Sequence, residues 1–214
     1  MFPINENSKN DPIPEISRIN EKLGIILLGA PGIGKSTFAN NYILNKNRNI
    51  KIFSTDDVSL TFTKDQKKWR EGSSEINIRR LELFIKSGKS FIYDTTGTQE
   101  NNIINIFNKA KENEYTILFI HLMGPLDLSL KQNKNRKRNV DEDYIKLSYY
   151  KQFKNMKYFS DLKPDNYYIV YNIDGKYKFL KYDGKLHKRK VDKYVPLTKE
   201  SFIKTFEQFT STYS

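Results

Sequence analysis

Leu23–Thr37 reads LGIILLGAPGIGKST: an apolar run, Leu23 to Leu28, and then nine residues that fit G-x-x-x-x-G-K-[ST]. A short apolar run that stops at a glycine reads as a buried strand, and Lys35–Leu44 beyond the loop has helical character. Strand, glycine-rich turn and helix start, in that order, bring several backbone N–H groups and the positive end of a helix to one point, where only glycine permits a close approach. Gly29, Ala30, Pro31, Gly32, Ile33, Gly34, Lys35, Ser36 and Thr37 are therefore the expected cradle for the phosphates of a nucleoside triphosphate, ATP or GTP. Lys35 is expected to reach the β- and γ-phosphate oxygens and Ser36 to ligate Mg²⁺.

Outward from this loop the chain alternates. Apolar runs at Gly24–Leu28, Ile50–Phe53, Ser90–Tyr93, Tyr115–His121 and Tyr167–Tyr171 read as strands, and Lys35–Leu44, Ser74–Lys86, Gln99–Glu112 and Asp141–Tyr158 read as helices between them. Ser74 is placed to cap the second helix and Gly88 to end it. This rhythm predicts an α/β fold with a parallel five-stranded sheet flanked by helices. After Ile173 the rhythm changes: Asp174-Gly175 and Asp183-Gly184 separate short Tyr- and Lys-rich runs, and Thr198 stands before a last helical stretch. Asp-Gly between such runs is a hairpin signal, so a small C-terminal antiparallel β meander and helix are expected beside the main sheet. The expected organisation is an N-terminal arm or irregular lead-in at 1–22, a main domain at 23–172 with a flexible flap at about 125–140, and an extension at 173–214.

With 214 residues, 37% of them hydrophobic, the chain can bury one full core. No apolar run approaches the roughly 20 residues that cross a bilayer, and MFPINENSKNDPIPEIS lacks the basic-then-apolar order of a secretion signal. A soluble, cytoplasmic protein with no membrane partner is expected, with a nuclear location left open as the lesser alternative. Without cysteine, and with two isolated histidines, any metal should be a hard cation on oxygen ligands. The net charge of +12 is uneven: residues 1–120 hold 17 Lys and Arg against 14 Asp and Glu, residues 121–214 hold 20 against 11. Such an excess attracts polyanions, although an AT-rich coding sequence would also raise the lysine content throughout.

Three further segments carry chemistry. FSTDD, ending in Asp56 and Asp57, closes the second strand, and ligands of open parallel sheets sit beyond the strand C-termini. Either aspartate could accept a proton from an incoming hydroxyl while the other caps the following helix. FIYDTTG places Asp94 at the end of the third strand, where a carboxylate can hold Mg²⁺ through water or orient an acceptor. In DLSLKQNKNRKRNVDEDY five of the eight residues from Lys131 to Arg138 are basic. This is a solvated charge run, an import-like patch, or a flap that lowers Arg136 and Arg138 onto a phosphoryl group in transfer.

In order and spacing, GAPGIGKST, FSTDD, FIYDTTG and the KQNKNR flap resemble the phage-type polynucleotide 5′-kinase family of P-loop phosphotransferases, from about Leu23 to Tyr158. The resemblance implies NTP-dependent transfer to the 5′-hydroxyl end of RNA or DNA, with single-stranded nucleic acid as partner. It places the phosphate lysine at Lys35 and its neighbour at Ser36, the general base at Asp56, the strand-end aspartate at Asp94 and the flap arginine at Arg136. The chain departs from the family pattern at Thr55 and Ser59, where a basic residue and an acceptor-binding arginine are usual, and at Gln132, where the flap's first arginine is usual. Lys64, Lys67, Lys68 or Arg70 would then hold the acceptor, with Trp69, Tyr149 and Tyr150 as stacking candidates. Three tail features are set aside: KYDG at Lys181–Gly184 leaves too little chain for a nucleotidyl-transfer domain, Asn172-Ile-Asp-Gly has asparagine where a phosphatase nucleophile would stand, and His121 and His187 lack His-x-Thr context. Two rival functions stay open, a small-molecule P-loop kinase similar to zeta toxins and a non-catalytic NTP-dependent nucleic-acid binder. No feature of the sequence assigns an oligomeric state.

Overall fold

The computed structural model describes residues 11–18, 21–62, 70–135, 140–173 and 175–182. Its strands are β1 (Leu23–Leu28), β2 (Lys51–Ser54), β3 (Phe91–Thr95), β4 (Thr116–Met123), β5 (Asn166–Ile173) and β6 (Lys176–Lys181). Its helices are α1 (Lys35–Phe38), α2 (Thr55–Phe62), α3 (Arg70–Ile85), α4 (Glu100–Glu112), α5 (Leu126–Lys134) and α6 (Glu142–Asp161). All six residues of β1 are buried, as a strand covered on both faces requires. Ile26 and Leu28 enter one core, while Leu23, Ile25 and Leu27 enter the other, following the two-residue period of a pleated strand. The first core packs beneath α3, α4 and α6 through Ile78, Leu81, Ile103, Phe107 and Phe159. The second packs beneath Phe38, Ala39 and Ile43.

The strands form one sheet in the order β2-β3-β1-β4-β5-β6. β1 to β5 pair in parallel, and β6 returns antiparallel along β5. The expected α/β architecture is therefore present, with one change at the tail: β6 extends the main sheet as its sixth strand instead of packing beside it. The Asp183-Gly184 turn and the helix after Thr198 lie outside the described residues.

Other differences have local causes. The helix expected from Ser74 already includes Arg70, the first described residue of that stretch, so Ser74 is no cap; its hydroxyl bonds Gln99 Oε1 at 3.1 Å. Gly88 does end that helix, with φ +71° and its N–H donating to Ile85 O. The helix after the glycine-rich loop widens to π geometry over Ala39–Leu44, where Phe38 stacks on Tyr42 at 5.1 Å. The lead-in is docked: Ile13 and Ile16 are fully buried, and buried Glu15 accepts from Asn166 Nδ2 at 2.6 Å and from the Tyr168 hydroxyl. Residues 126–134, expected within a flexible flap, form helix α5. Among the described residues no helix is long and apolar enough to cross a membrane.

Candidate nucleotide and phosphotransfer site

The glycine-rich loop leaves β1 at the centre of the sheet, between β3 and β4, where successive crossovers run in opposite directions. Gly34, at φ +99°, turns the chain into α1 and leaves the N–H groups of its first turn directed outward. Gly32, at φ +83°, passes so close to the Ser129 carbonyl of α5 that a Cβ there would collide with it. These two glycines are demanded by backbone conformation and by contact, respectively.

Two buried side chains, Gln152 and Asn172, bond the loop directly. Gln152 of α6 accepts the Ala30 N–H at 3.2 Å through Oε1, and the same oxygen lies 3.1 Å from His121 Nε2. An oxygen can only accept, so Nε2 carries the imidazole proton and Nδ1 receives the Tyr167 hydroxyl at 3.0 Å. Burial drives the His121 pKa down to about 4, the Gln152 bond opposing and the Lys35 charge reinforcing, so the ring is neutral. Asn172 donates to Ile33 O at 2.9 Å and accepts from Gly175 N, so the motif set aside as an incomplete phosphatase signature props the loop. Asn155 of α6 donates to Gly97 O in the loop after Asp94, tying one helix to both phosphate-facing loops.

A cleft of about 310 Å³ opens over this loop, and Lys35, Ser36, Asp56, Asp57 and Asp94 all line it. Lys35 Nζ donates to Gly29 O at 2.8 Å and Ala30 O at 3.3 Å, and stands 3.7 Å from Asp94 Oδ1. The Asp94 side chain is 13% exposed. Burial lifts its pKa above the usual carboxylate range, Lys35 pulls it back, and Asp56 and Asp57 add to the rise. Asp56 and Asp57 sit in the first turn of α2, where a helix N-terminus favours negative charge. Burial and Asp56 raise the Asp57 pKa against the pull of Arg80. Among the described residues no three His, Cys, Asp or Glu side chains converge as a cation cage. One carboxylate plus a hydroxyl, completed by water and phosphate oxygens, is nonetheless how Mg²⁺ is commonly held, and Ser36 and Asp94 fit that donor set.

Arg136 and Arg138, together with Lys64, Lys67, Lys68 and Trp69, lie outside the described residues. Val140 and Tyr144, just beyond the two arginines in sequence, line the cleft. Asn133 fastens Val140 with two bonds, donating to its carbonyl at 2.8 Å and accepting its N–H at 2.9 Å. Tyr149 is fully buried against Ala30, Leu126 and Ile145, which removes it as a stacking platform; Tyr150 is 45% exposed but does not line the cleft. Sequence reading missed Gln152, Asn155, Ser74 and Gln99. A polar residue at a buried register of a helix was the only available signal for the first two.

Comparison with known proteins agrees with this geometry. Residues 25–157 match the family model AAA_33, described as an AAA domain. The L-seryl-tRNA(Sec) kinase of Methanococcus maripaludis is 31% identical over 130 residues, which cover 59% of this chain and 51% of that protein. The chain thus spans about half the length of this curated relative. Among solved structures, one of the PezAT toxin-antitoxin system of Streptococcus pneumoniae superposes with TM-score 0.61 at 13% identity, covering 90% of this chain and 87% of the other. A chain of the Pnkp1/Rnl/Hen1 RNA repair complex gives TM-score 0.51 at 19% identity, covering 76% and 49%. At these identities the structural likenesses establish the fold alone, while the family match spans more than half of the sequence: this chain belongs to the AAA_33 family and has the fold of a P-loop kinase.

Proposed function

We propose that the protein transfers the γ-phosphoryl group of ATP or GTP to a hydroxyl carried on nucleic acid, with the 5′-hydroxyl end of RNA or DNA as acceptor. One observation carries this reading: Lys35, Ser36, Asp94 and the Asp56-Asp57 pair, far apart in sequence, line a single cleft at the C-terminal ends of β1, β2 and β3. In this reading the loop N–H groups and Lys35 hold the donor phosphates, and Ser36 and Asp94 are the Mg²⁺ residues. Mg²⁺, when bound, neutralises charge on the β- and γ-phosphate oxygens. Asp56 accepts the proton of the acceptor hydroxyl as its oxygen bonds to the γ-phosphorus. The bond from that phosphorus to the β–γ bridging oxygen breaks, and the nucleoside diphosphate leaves. Arg136 and Arg138 are assigned to the transferring phosphoryl group. The charge excess of residues 121–214 supports a polyanionic acceptor, whose affinity should fall as salt rises.

A second reading is favoured by the 31% identity to an L-seryl-tRNA(Sec) kinase: the acceptor hydroxyl belongs to an aminoacyl group on tRNA. Both readings are tested together with γ-labelled ATP or GTP, Mg²⁺, 5′-hydroxyl RNA and DNA oligonucleotides, seryl-tRNA and a panel of nucleosides. Label on the oligonucleotides supports the first reading and label on seryl-tRNA alone the second. Label on nucleosides alone would instead identify a small-molecule kinase, and nucleotide binding without labelling of any acceptor a non-catalytic binder. Asp56→Asn should lower turnover about 10²–10⁴-fold, as loss of a general base does; unchanged turnover would remove the aspartate from the chemistry.

A further inference from the structure

A second cavity adjoins the phosphate cleft. It lies between α3 and the start of α4, measures about 360 Å³, and has the largely buried Ile78 as its floor. Ser74 and Gln99 line both spaces, so the two run together at those residues. Gln99 Oε1 is occupied within the protein, accepting from the Ser74 hydroxyl at 3.1 Å and from Asn102 Nδ2 at 2.8 Å. These bonds leave the Gln99 Nε2 donors and the Asn102 Oδ1 acceptor available at the groove, a neighbouring donor and acceptor of the kind that base edges match. The charges in the groove are already paired. Arg79 bonds Glu75 at 2.6 Å, and Glu82 accepts from Asn105 Nδ2 at 2.6 Å with Lys109 at 3.9 Å. Two carboxylates against one guanidinium make a poor site for a phosphodiester, which needs surplus cations. An apolar floor with amides at the rim suits an uncharged, flat, hydrogen-bonding group.

We propose that the α3–α4 groove is the subsite for the nucleobase of the acceptor's terminal nucleoside, held by Gln99 and Asn102 while its hydroxyl enters the phosphate cleft past Ser74. This rests on the nucleic-acid reading above and adds to it which part of the acceptor the protein reads. Gln99 and Asn102 are specificity residues, with Gln99 at the junction of the groove and the phosphate cleft.

The test compares a 5′-hydroxyl oligonucleotide with the same oligonucleotide made abasic at its first position, each with Mg²⁺ and ATP, in steady-state kinetics. The wild-type protein should show a KM about tenfold or more lower for the intact oligonucleotide, the discrimination of a donor–acceptor pair. Asn102→Ala should raise the intact-oligonucleotide KM toward the abasic value, leaving the ATP KM and the abasic KM unchanged. Asn102→Trp, which fills the groove and leaves the Ser74–Gln99 bond in place, should do the same. Equal KM values for the two oligonucleotides in wild type, or a base preference that survives both variants, overturns the subsite and leaves the kinase reading standing. Phosphorylation of neither oligonucleotide by the wild-type protein overturns the 5′-hydroxyl reading, and the subsite with it.

Discussion

The two ends of the cleft are built from different material. At the donor end the ligand-facing groups are main-chain amides and one lysine, and what fixes them is buried: Gln152, Asn172 and His121 are each 3% exposed or less. At the proposed acceptor end the groups that line the cleft and its adjoining groove are the side chains of Asp56, Asp57, Gln99 and Glu75, all exposed. Triphosphates present the same oxygens whatever base they carry, so a rigid main-chain cradle serves them all. An acceptor is chosen by its differences, which side chains on a solvent-facing helix pair can match without disturbing the core. Substitutions should therefore separate into those that alter chemistry or stability at the donor end and those that alter only acceptor preference.

The largest expected effect is at Lys35. Lys35→Met removes the cation facing the transferred phosphate, and kcat should fall about 10³-fold or more with the fold intact, because charge developing in the transition state loses its partner. Single-turnover transfer from labelled ATP measures it. A loss under tenfold would mean that the donor end is not organised around this lysine. Next is Gln152→Leu, which strands the Ala30 N–H and the His121 Nε2–H in a dry interior. Each unsatisfied buried group costs about 1–3 kcal/mol, so urea unfolding should show a loss in that range or above, together with a weaker nucleotide affinity. A variant as stable as wild type would show that water reaches the loop and that the donor end is less closed than its burial indicates.

The contrast also explains what could be read from sequence. The glycine-rich loop was legible because its glycines answer backbone conformation, at Gly32 and Gly34, and the strands were legible because burial on both faces forces apolar runs. Asp56, Asp57 and Asp94 were legible as strand-end carboxylates, and the cleft brings them together. Gln152 and Asn172 were not: an amide that props a loop from another element carries no local signature, and Asn172 was set aside because its neighbours spell a different motif. The stretch of α3 before Ser74 and the helix α5 were missed because their residues show little apolar periodicity and hold their places by tertiary contact. The acceptor groove depends on which faces of α3 and α4 meet, and that is decided by packing alone.

A smaller effect, of unusual sign, is expected at Asp94. Its pKa is raised in the folded state, chiefly by burial. A carboxyl group raised in this way favours folding below its unfolded pKa, and that contribution is lost as pH rises through the folded value. Above the folded pKa the ionised group is therefore a cost to the ligand-free protein. Asp94→Asn should raise the melting temperature measured at pH 7, and the gain should shrink as pH falls toward the ordinary carboxylate range. The same variant should lose the extra stabilisation that Mg²⁺ with ATP gives the wild type. Destabilisation at pH 7 would show that the Lys35 ion pair outweighs burial at this site.

The smallest expected effect lies in the acceptor groove and is informative because it is small. The Arg79–Glu75 pair is well formed at 2.6 Å, but its side chains are 74% and 66% exposed, so solvent screens it. Arg79→Ala should change unfolding free energy by less than about 0.5 kcal/mol, and the difference should disappear in high salt. If the groove serves a ligand, the same substitution leaves Glu75 uncompensated and should raise the KM for an anionic oligonucleotide while the ATP KM stays constant. A change in acceptor KM without a change in stability would assign the pair to the ligand. A stability loss above 1 kcal/mol, or parallel shifts in both KM values, would show that the pair serves the stability of α3 and not the acceptor alone, and the division between the two ends of the cleft would fail there.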